Sequence, residues 1–442
     1  MFKRKIYDKL VEWKNDSQGK TALLIEGARR IGKSTVAEEF AKSEYESHIL
    51  IDFSLASQSV KELFDDMSDL NYFFLQLQLL FRVDLVERKS LIIFDEVQFF
   101  PKARQAIKHL VKDGRYDYLE TGSLISIKKN VKGILIPSEE QKISMYPMDY
   151  EEFLWAVGDN TTIPLIRKCF ETRKPVSEQL NRKLMRDFRL YMLVGGMPQA
   201  VNEYIETNNF RKVDLVKRTI LSLYEDDFRK IDPSGRASML FDAIPAQLAK
   251  NASRYQTTSV LKKSKSSKFQ EILSEMENSK TVLISYHADD PNVGLSSSKD
   301  LSTFKMFVCD TGLFVTLMFK DRDFTENDIY EKLLSDKLSA NLGYLYENVV
   351  AQTLVTNGNK LFYYTFFNEV SRHNYEIDFL LARKNKICPI EVKSSGYKAH
   401  ISLDKFFEKY SSRILQKYLV YPKNLAKDAD TLCVPVYMTQ FL

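Results

Sequence analysis

In the first third of the chain, apolar residues come in short unbroken blocks that close on polar ones. Residues 91–96 (Leu-Ile-Ile-Phe-Asp-Glu) are the plainest case, and 21–26, 48–53 and 116–120 are built alike. A short apolar run bounded by polar residues is the pattern of a strand buried on both faces. Elsewhere the apolar positions recur at helical spacing. Phe2, Ile6, Leu10 and Trp13 predict a short helix, and further helices are expected over 33–42, between 53 and 82, and after Pro101. Buried strands alternating with helices predict a mostly parallel α/β sheet.

From Met148 the pattern changes. Residues 148–230 read as long helices, broken only at Val194-Gly195-Gly196-Met197-Pro198, where Gly and Pro mark a tight turn opening a helix. Residues 236–315 mix helical patterns with two short strands (281–286 and 305–309) around a polar loop, 289–300. That order suggests a winged helix-turn-helix. Residues 325–442 predict a last α/β unit. It comprises a helix to about Val355, strands near 361–366, 375–383, 387–393 and 415–420, and a helix over 402–410. The expected domains are therefore 1–147, 148–235, 236–320 and 321–442.

Composition narrows the class. With 15 glycines and 12 prolines in 442 residues, 44% hydrophobic and 28% charged, the chain is neither collagen-like nor of low complexity. A formal net charge of +5 permits acidic partners without demanding them. Cys169, Cys309, Cys388 and Cys433 lie far apart with no CxxC, which points to free thiols in a reducing compartment. The first twenty residues carry no apolar leader, and no apolar run approaches the ~18 residues a span needs. The expectation is a cytoplasmic protein with no membrane partner.

The loop between the first strand and its helix, Gly27-Ala28-Arg29-Arg30-Ile31-Gly32-Lys33-Ser34-Thr35, fits the phosphate-loop pattern in the strand–loop–helix setting that pattern requires. Its backbone N–H groups can form an anion nest, backed by the helix N-terminus. Lys33 would reach the β- and γ-phosphates of ATP, and Ser34 would ligate Mg²⁺. Asp95-Glu96 closes an apolar strand, where Asp95 would hold the metal and Glu96 would orient and deprotonate the attacking water. Thr121 or Ser123, ending the next strand, is placed to sense the γ-phosphate, and an ordinary turn explains it equally well. Arg29 and Arg30 lie inside the loop as phosphate or fold contacts.

On these residues the chain resembles a bacterial and archaeal family of AAA-type ATPases in which an AAA domain (AAA_14-like) is fused to a C-terminal domain of unknown function, DUF4143. The resemblance rests on GARRIGKST, LIIFDEVQ, LETGS, YPMDYEEFL, LVGGMPQAV, LYEDDFRKI, FKMFVCDTGLF, GYLYENVVAQTL, YEIDFLL and PIEVKSS, in this order over nearly the full length. It implies a P-loop core, a helical lid, a winged helix and a PD-(D/E)xK nuclease-like module. Gly196 and Pro198 would then belong to the lid that closes on the nucleotide. Many AAA ATPases assemble as rings, so a homo-oligomer is an expected partner.

The segments 375–383 and 387–393 flank Lys384-Asn385-Lys386. If the turn centres on Lys384-Asn385, Asp378 faces Glu391 and Glu376 faces Lys393, while Glu391 and Lys393 share a face. Opposed carboxylates repel, and a divalent cation between them would relieve that. Asp…Glu-x-Lys is the layout resembled by PD-(D/E)xK nucleases, in which the acids bind Mg²⁺ or Mn²⁺ and the lysine positions water on the scissile phosphate. Glu347 matches the family's additional acid. The catalytic candidates are thus Lys33, Glu96, Glu347, Asp378, Glu391 and Lys393, with Ser34, Asp95, Asp378 and Glu391 as metal ligands.

Residues 243–270 carry no acid but hold Lys250, Arg254, Lys262, Lys263, Lys265 and Lys268, a stripe suited to DNA phosphates. Three readings remain open. One is an ATPase coupled to a nucleic-acid-binding or metal-dependent nuclease module. Another is a nucleotide-gated switch whose nuclease-like module is inactive and only binds DNA or a protein. The third is a plain NTPase without nucleic acid, in which the net charge of +5 is incidental.

Overall fold

The computed structural model describes all residues except 123–137, 251–252, 262–265, 293, 323–324, 326, 336–342, 369–371, 373 and 396–399. It divides into two compact units, Met1–Tyr146 with Asn278–Lys280, and Pro147–Glu277 with Thr281–Leu442.

In the first unit, apolar runs become the interior of one parallel sheet. Its strands are β1 (Ala22–Glu26), β2 (Ser47–Asp52), β3 (Ser90–Asp95), β4 (Asp117–Gly122) and β5 (Glu140–Ser144), in the order β2-β3-β4-β1-β5. Every residue of β1, β3 and β4 is buried, as expected of central strands covered on both faces. Phe53, Phe64, Phe73 and Phe94 pack edge to face in one core on this sheet, with ring centroids 5.3–5.7 Å apart. β5 (Glu-Gln-Lys-Ile-Ser) escapes the apolar-run pattern because it is an edge strand with no fully buried residue.

The second unit opens with helices. Asp149 starts the helix Tyr150–Ala156 with a reciprocal capping box to Glu152. Long amphipathic helices follow at Glu178–Val194 and Phe210–Ile231. The turn between Val194 and Pro198 needs its glycines. Gly195 has φ +85°, and a Cβ on Gly196 would lie 2.0 Å from the Met148 carbonyl oxygen.

Two sheets complete this unit. One runs β7-β6-β8-β9, from β6 (Val282–Ala288), β7 (Lys299–Val308), β8 (Phe362–Phe367) and β9 (Asn374–Ile377). The other runs β10-β11-β12-β14-β13, from β10 (Phe379–Arg383), β11 (Lys386–Val392), β12 (Lys417–Tyr421), β13 (Ala426–Asp428) and β14 (Thr431–Pro435). Short helices from Arg236 to Asn278 precede the antiparallel β6/β7 pair, but β6 also pairs in parallel with β8, so the wing-like strands share a sheet with the C-terminal segment.

The segment 375–383 is not one strand. It breaks at Asp378: β9 pairs with β8, and β10 pairs with β11. The β10/β11 register is the expected one, with Phe379 opposite Ile390, Arg383 opposite Lys386, and Lys384 at φ +57° in the turn. The pairing of Glu376 with Lys393 is wrong, because Glu376 has already crossed to the other sheet and lies opposite Thr365. Among the described residues no helix is long and apolar enough to cross a membrane.

Candidate functional site

Two charged clusters stand out, one in each unit. In the first, the chain leaves the carboxyl end of β1 and enters the helix Lys33–Glu44 through residues 27–32. Ala28 and Ile31 are buried and anchor the loop, while Arg30 (φ +68°) and Gly32 (φ +94°) adopt left-handed backbone that makes the sharp return. A Cβ on Gly27 would come within 2.4 Å of the Met145 carbonyl oxygen. Arg4 braces the loop from outside it, donating to the carbonyls of Ile31 (2.8 Å) and Tyr146 (2.7 Å). No sequence motif marks Arg4 for that task.

Lys33 is buried, and its Nζ donates to the carbonyls of Gly27 (3.1 Å) and Ala28 (2.9 Å). Ser34 Oγ donates to Asp95 Oδ1 at 2.8 Å, joining the loop after β1 to the end of β3. Thr121 Oγ1, ending β4, donates to the same Asp95 oxygen and accepts from the Glu96 N–H at 3.3 Å. Glu96 sits at φ +53°, and its carboxylate accepts from Gln98 Nε2, a partner the sequence reading missed although it lies two residues away. Thr35 is exposed on the first turn of the helix and Arg29 is half-buried. Ser123 lies outside the described residues. A serine hydroxyl and a carboxylate oxygen in contact form an oxygen donor set that fits Mg²⁺.

The second cluster gathers charges from four elements of the second unit. Lys305 of β7 places its Nζ 3.4 Å from Glu347 Oε2 and in direct contact with Glu376 Oε1 of β9. Glu347 is brought there by the helix Gly343–Thr356. Its neighbour Asn348 bonds both the N–H and the carbonyl of Val308, and Gln352 accepts from Thr311, so the helix is locked to the end of β7. Asp378, at the seam between the sheets, accepts from the Val392 N–H at 2.7 Å. Lys393 Nζ lies 2.6 Å from Glu391 Oε1, while Glu391 Oε2 is buried with no hydrogen-bond partner among the described residues.

Four carboxylates thus face two ammonium groups among the described residues, which leaves an excess of negative charge. Burial first, and this imbalance second, shape the acidities. Burial, with Asp378 and Glu376 adding to it against Lys305, pushes Glu347 up to about 7. Burial also raises Glu391, with Lys393 opposing. For Lys305 burial disfavours the charge, but Glu347, Glu376 and Asp378 outweigh it and hold the ammonium above its ordinary range. Lys393 is raised in the same way, with Glu391 overcoming burial. Among the described residues no three or more His, Cys, Asp or Glu side chains converge as a metal-holding set. The sequence singled out Glu347, Asp378, Glu391 and Lys393 of this cluster, placed Glu376 only as a hairpin neighbour of Lys393, and missed Lys305.

Gly196 is used inside the second unit: its N–H donates to Asp310 Oδ2 at 2.5 Å and its carbonyl accepts from Met148 at 2.7 Å. Pro198 opens the helix Pro198–Thr207. Of the basic stretch, Lys250, Arg254 and Lys268 are exposed, while Lys262, Lys263 and Lys265 lie outside the described residues.

Residues 19–154 match the family model of an AAA domain. Residues 185–323 and 342–439 match two domains of unknown function, DUF8612 and DUF4143. No curated protein matches the chain. Solved structures similar to parts of it include C. elegans PCH-2, at 11% identity and TM-score 0.28, covering 50% of this chain and 68% of that one. The Thermotoga maritima RuvB Holliday junction branch migration motor matches at 11% and 0.29, covering 55% and 77%. A single-residue variant of the same motor matches at 11% and 0.29, covering 64% and 89%. Those scores are too low to carry an argument, so the parallel sheet, the loop and the AAA match carry the assignment of the first unit as an AAA-type P-loop domain.

Proposed function

We propose that the chain binds ATP with Mg²⁺ at residues 27–35, hydrolyses it, and uses the nucleotide state to govern the second unit, whose carboxylate–lysine cluster works on a nucleic-acid phosphodiester. The observation that carries the ATPase reading is the Ser34–Asp95 contact, because it joins the two motif residues whose oxygens suit the nucleotide's metal. Lys33, whose ammonium rests on two neutral carbonyls, exchanges them for phosphate oxygens, and the N–H groups of the loop orient the phosphates. Ser34 and Asp95 would hold Mg²⁺, which would supply charge neutralisation on the phosphates. Glu96 accepts the proton of the attacking water at its carboxylate, and Gln98 sets where that carboxylate points. Residues 148–235, with Gly196 and Pro198, act as the lid, and 236–320 as a winged-helix DNA contact. Self-association of the AAA domains would follow the habit of the resembled family.

In the second unit, Asp378 and Glu391 would hold a divalent ion that supplies Lewis acidity, with Lys393 positioning water beside Glu391. A rival reading, a nucleotide-gated switch with an inactive module, is favoured by Lys305 and Lys393 already being ion-paired. Incubation with plasmid and linear DNA, with Mg²⁺ or Mn²⁺ and with or without ATP, separates the two. Cleavage lost in Asp378→Ala and in Lys393→Ala supports the first reading. Cleavage that survives both comes from elsewhere, and no cleavage under any condition favours the switch.

A further inference from the structure

Lys305 arrives in the carboxylate cluster from outside the motifs that mark it. It belongs to β7, well before the C-terminal motifs, yet its side chain is carried among acids from the helix Gly343–Thr356, from β9 and from the seam at Asp378. At 6% exposure, an ammonium would be costly without partners, so its position is set by the carboxylates that meet it.

The cluster divides into two halves. Glu347 and Glu376 are both engaged by Lys305. Among the described residues, Asp378 takes a hydrogen bond from the Val392 N–H alone, and Glu391, itself 6% exposed, keeps Oε2 buried and unpartnered. Each half holds two carboxylates and one lysine, but Lys305 bridges both of its acids, whereas Lys393 meets only Glu391 Oε1 and leaves Asp378 without an ion pair and Glu391 Oε2 without a partner among the described residues. With all four carboxylates ionised, the formal charge left over is that of one divalent ion, and hard oxygen ligands are what Mg²⁺ and Mn²⁺ take.

We propose that Lys305 permanently occupies the place a second divalent ion would hold, so that the cluster takes a single divalent cation at Asp378 and Glu391 beside a built-in ammonium. Lys305 is then a positioning residue: it holds Glu347 and Glu376 together and sets the ion count. The proposal rests on the metal-dependent reading of this cluster and deepens it.

The test is Mn²⁺ binding to the full, nucleotide-free chain, counted from the loss of the free-ion electron paramagnetic resonance signal. Ions are assigned to the cluster by their loss in Asp378→Asn/Glu391→Gln. The expected result is one cluster ion in the wild type and in Lys305→Arg, and two in Lys305→Gln, the second disappearing when Glu347→Gln is added. Two cluster ions in the wild type, or only one in a folded Lys305→Gln, overturns the proposal and leaves the metal-dependent reading standing. No cluster ion in the wild type overturns both. Where Lys305→Gln fails to fold, two cluster ions in the wild type would still overturn the proposal.

Discussion

Lys33 and Lys305 are equally buried, each 6% exposed, and they are held in opposite ways. Among its contacts with the described residues, Lys33 donates to two neutral carbonyls of its own loop. Lys305 donates to two carboxylates from other elements, and its charge is consumed in the cluster. The first arrangement is ready for an anion, since phosphate oxygens outcompete neutral carbonyls for an ammonium. The second keeps an excess of negative charge and is ready for a cation. A lysine near a candidate site is therefore read by what already holds it.

The contrast breaks most visibly at Lys33. Lys33→Ala should weaken ATP binding by roughly 100-fold or more, since losing ~2–3 kcal/mol of charge-assisted contact costs about that factor. Titration with a fluorescent ATP analogue measures it. Stability should fall by only about 1 kcal/mol, the scale of ordinary net hydrogen bonds. Lys305→Met should do the reverse. It leaves Glu347 and Glu376 without their ammonium and should cost about 3 kcal/mol in denaturant unfolding, with ATP binding unchanged. Equal losses of stability in the two variants would erase the distinction.

A smaller effect sharpens it. Adding Glu347→Gln and Glu376→Gln to Lys305→Met removes the stranded charges, so most of the lost stability should return, an outcome that simple loss of packing would not give. A further effect is in pH. With its carboxyl pushed up to about 7, folded Glu347 keeps a proton that the unfolded chain releases nearer the ordinary glutamate range. The folded state then binds more protons in that interval, so metal-free stability should decline as pH rises from about 4.5 to 7, with the loss complete above 7. Glu347→Gln should flatten that slope, and an unchanged slope would remove Glu347 as its source.

What the sequence disclosed follows the range of the interactions involved. β1, β3 and β4 are legible because burial on both faces writes an apolar run, and the loop at 27–35 because its chemistry is local. β5 is hidden because an edge strand buries too little to leave a pattern. The register of β10 and β11 is legible from a two-residue turn. The break at Asp378 is not, because it is made by β8 and β11 competing for neighbouring residues. Lys305 is invisible for the same reason: 42 residues separate it from Glu347 and 71 from Glu376, and only folding joins them.

The central claim is that Asp95-Glu96, joined to the loop through Ser34, forms a hydrolytic centre. Single-turnover ATP hydrolysis by Glu96→Gln tests it most directly. With the proton acceptor removed and the binding residues intact, ATP should bind as in the wild type while hydrolysis falls by roughly 100-fold or more. A Glu96→Gln protein that hydrolyses ATP at the wild-type rate would contradict the account.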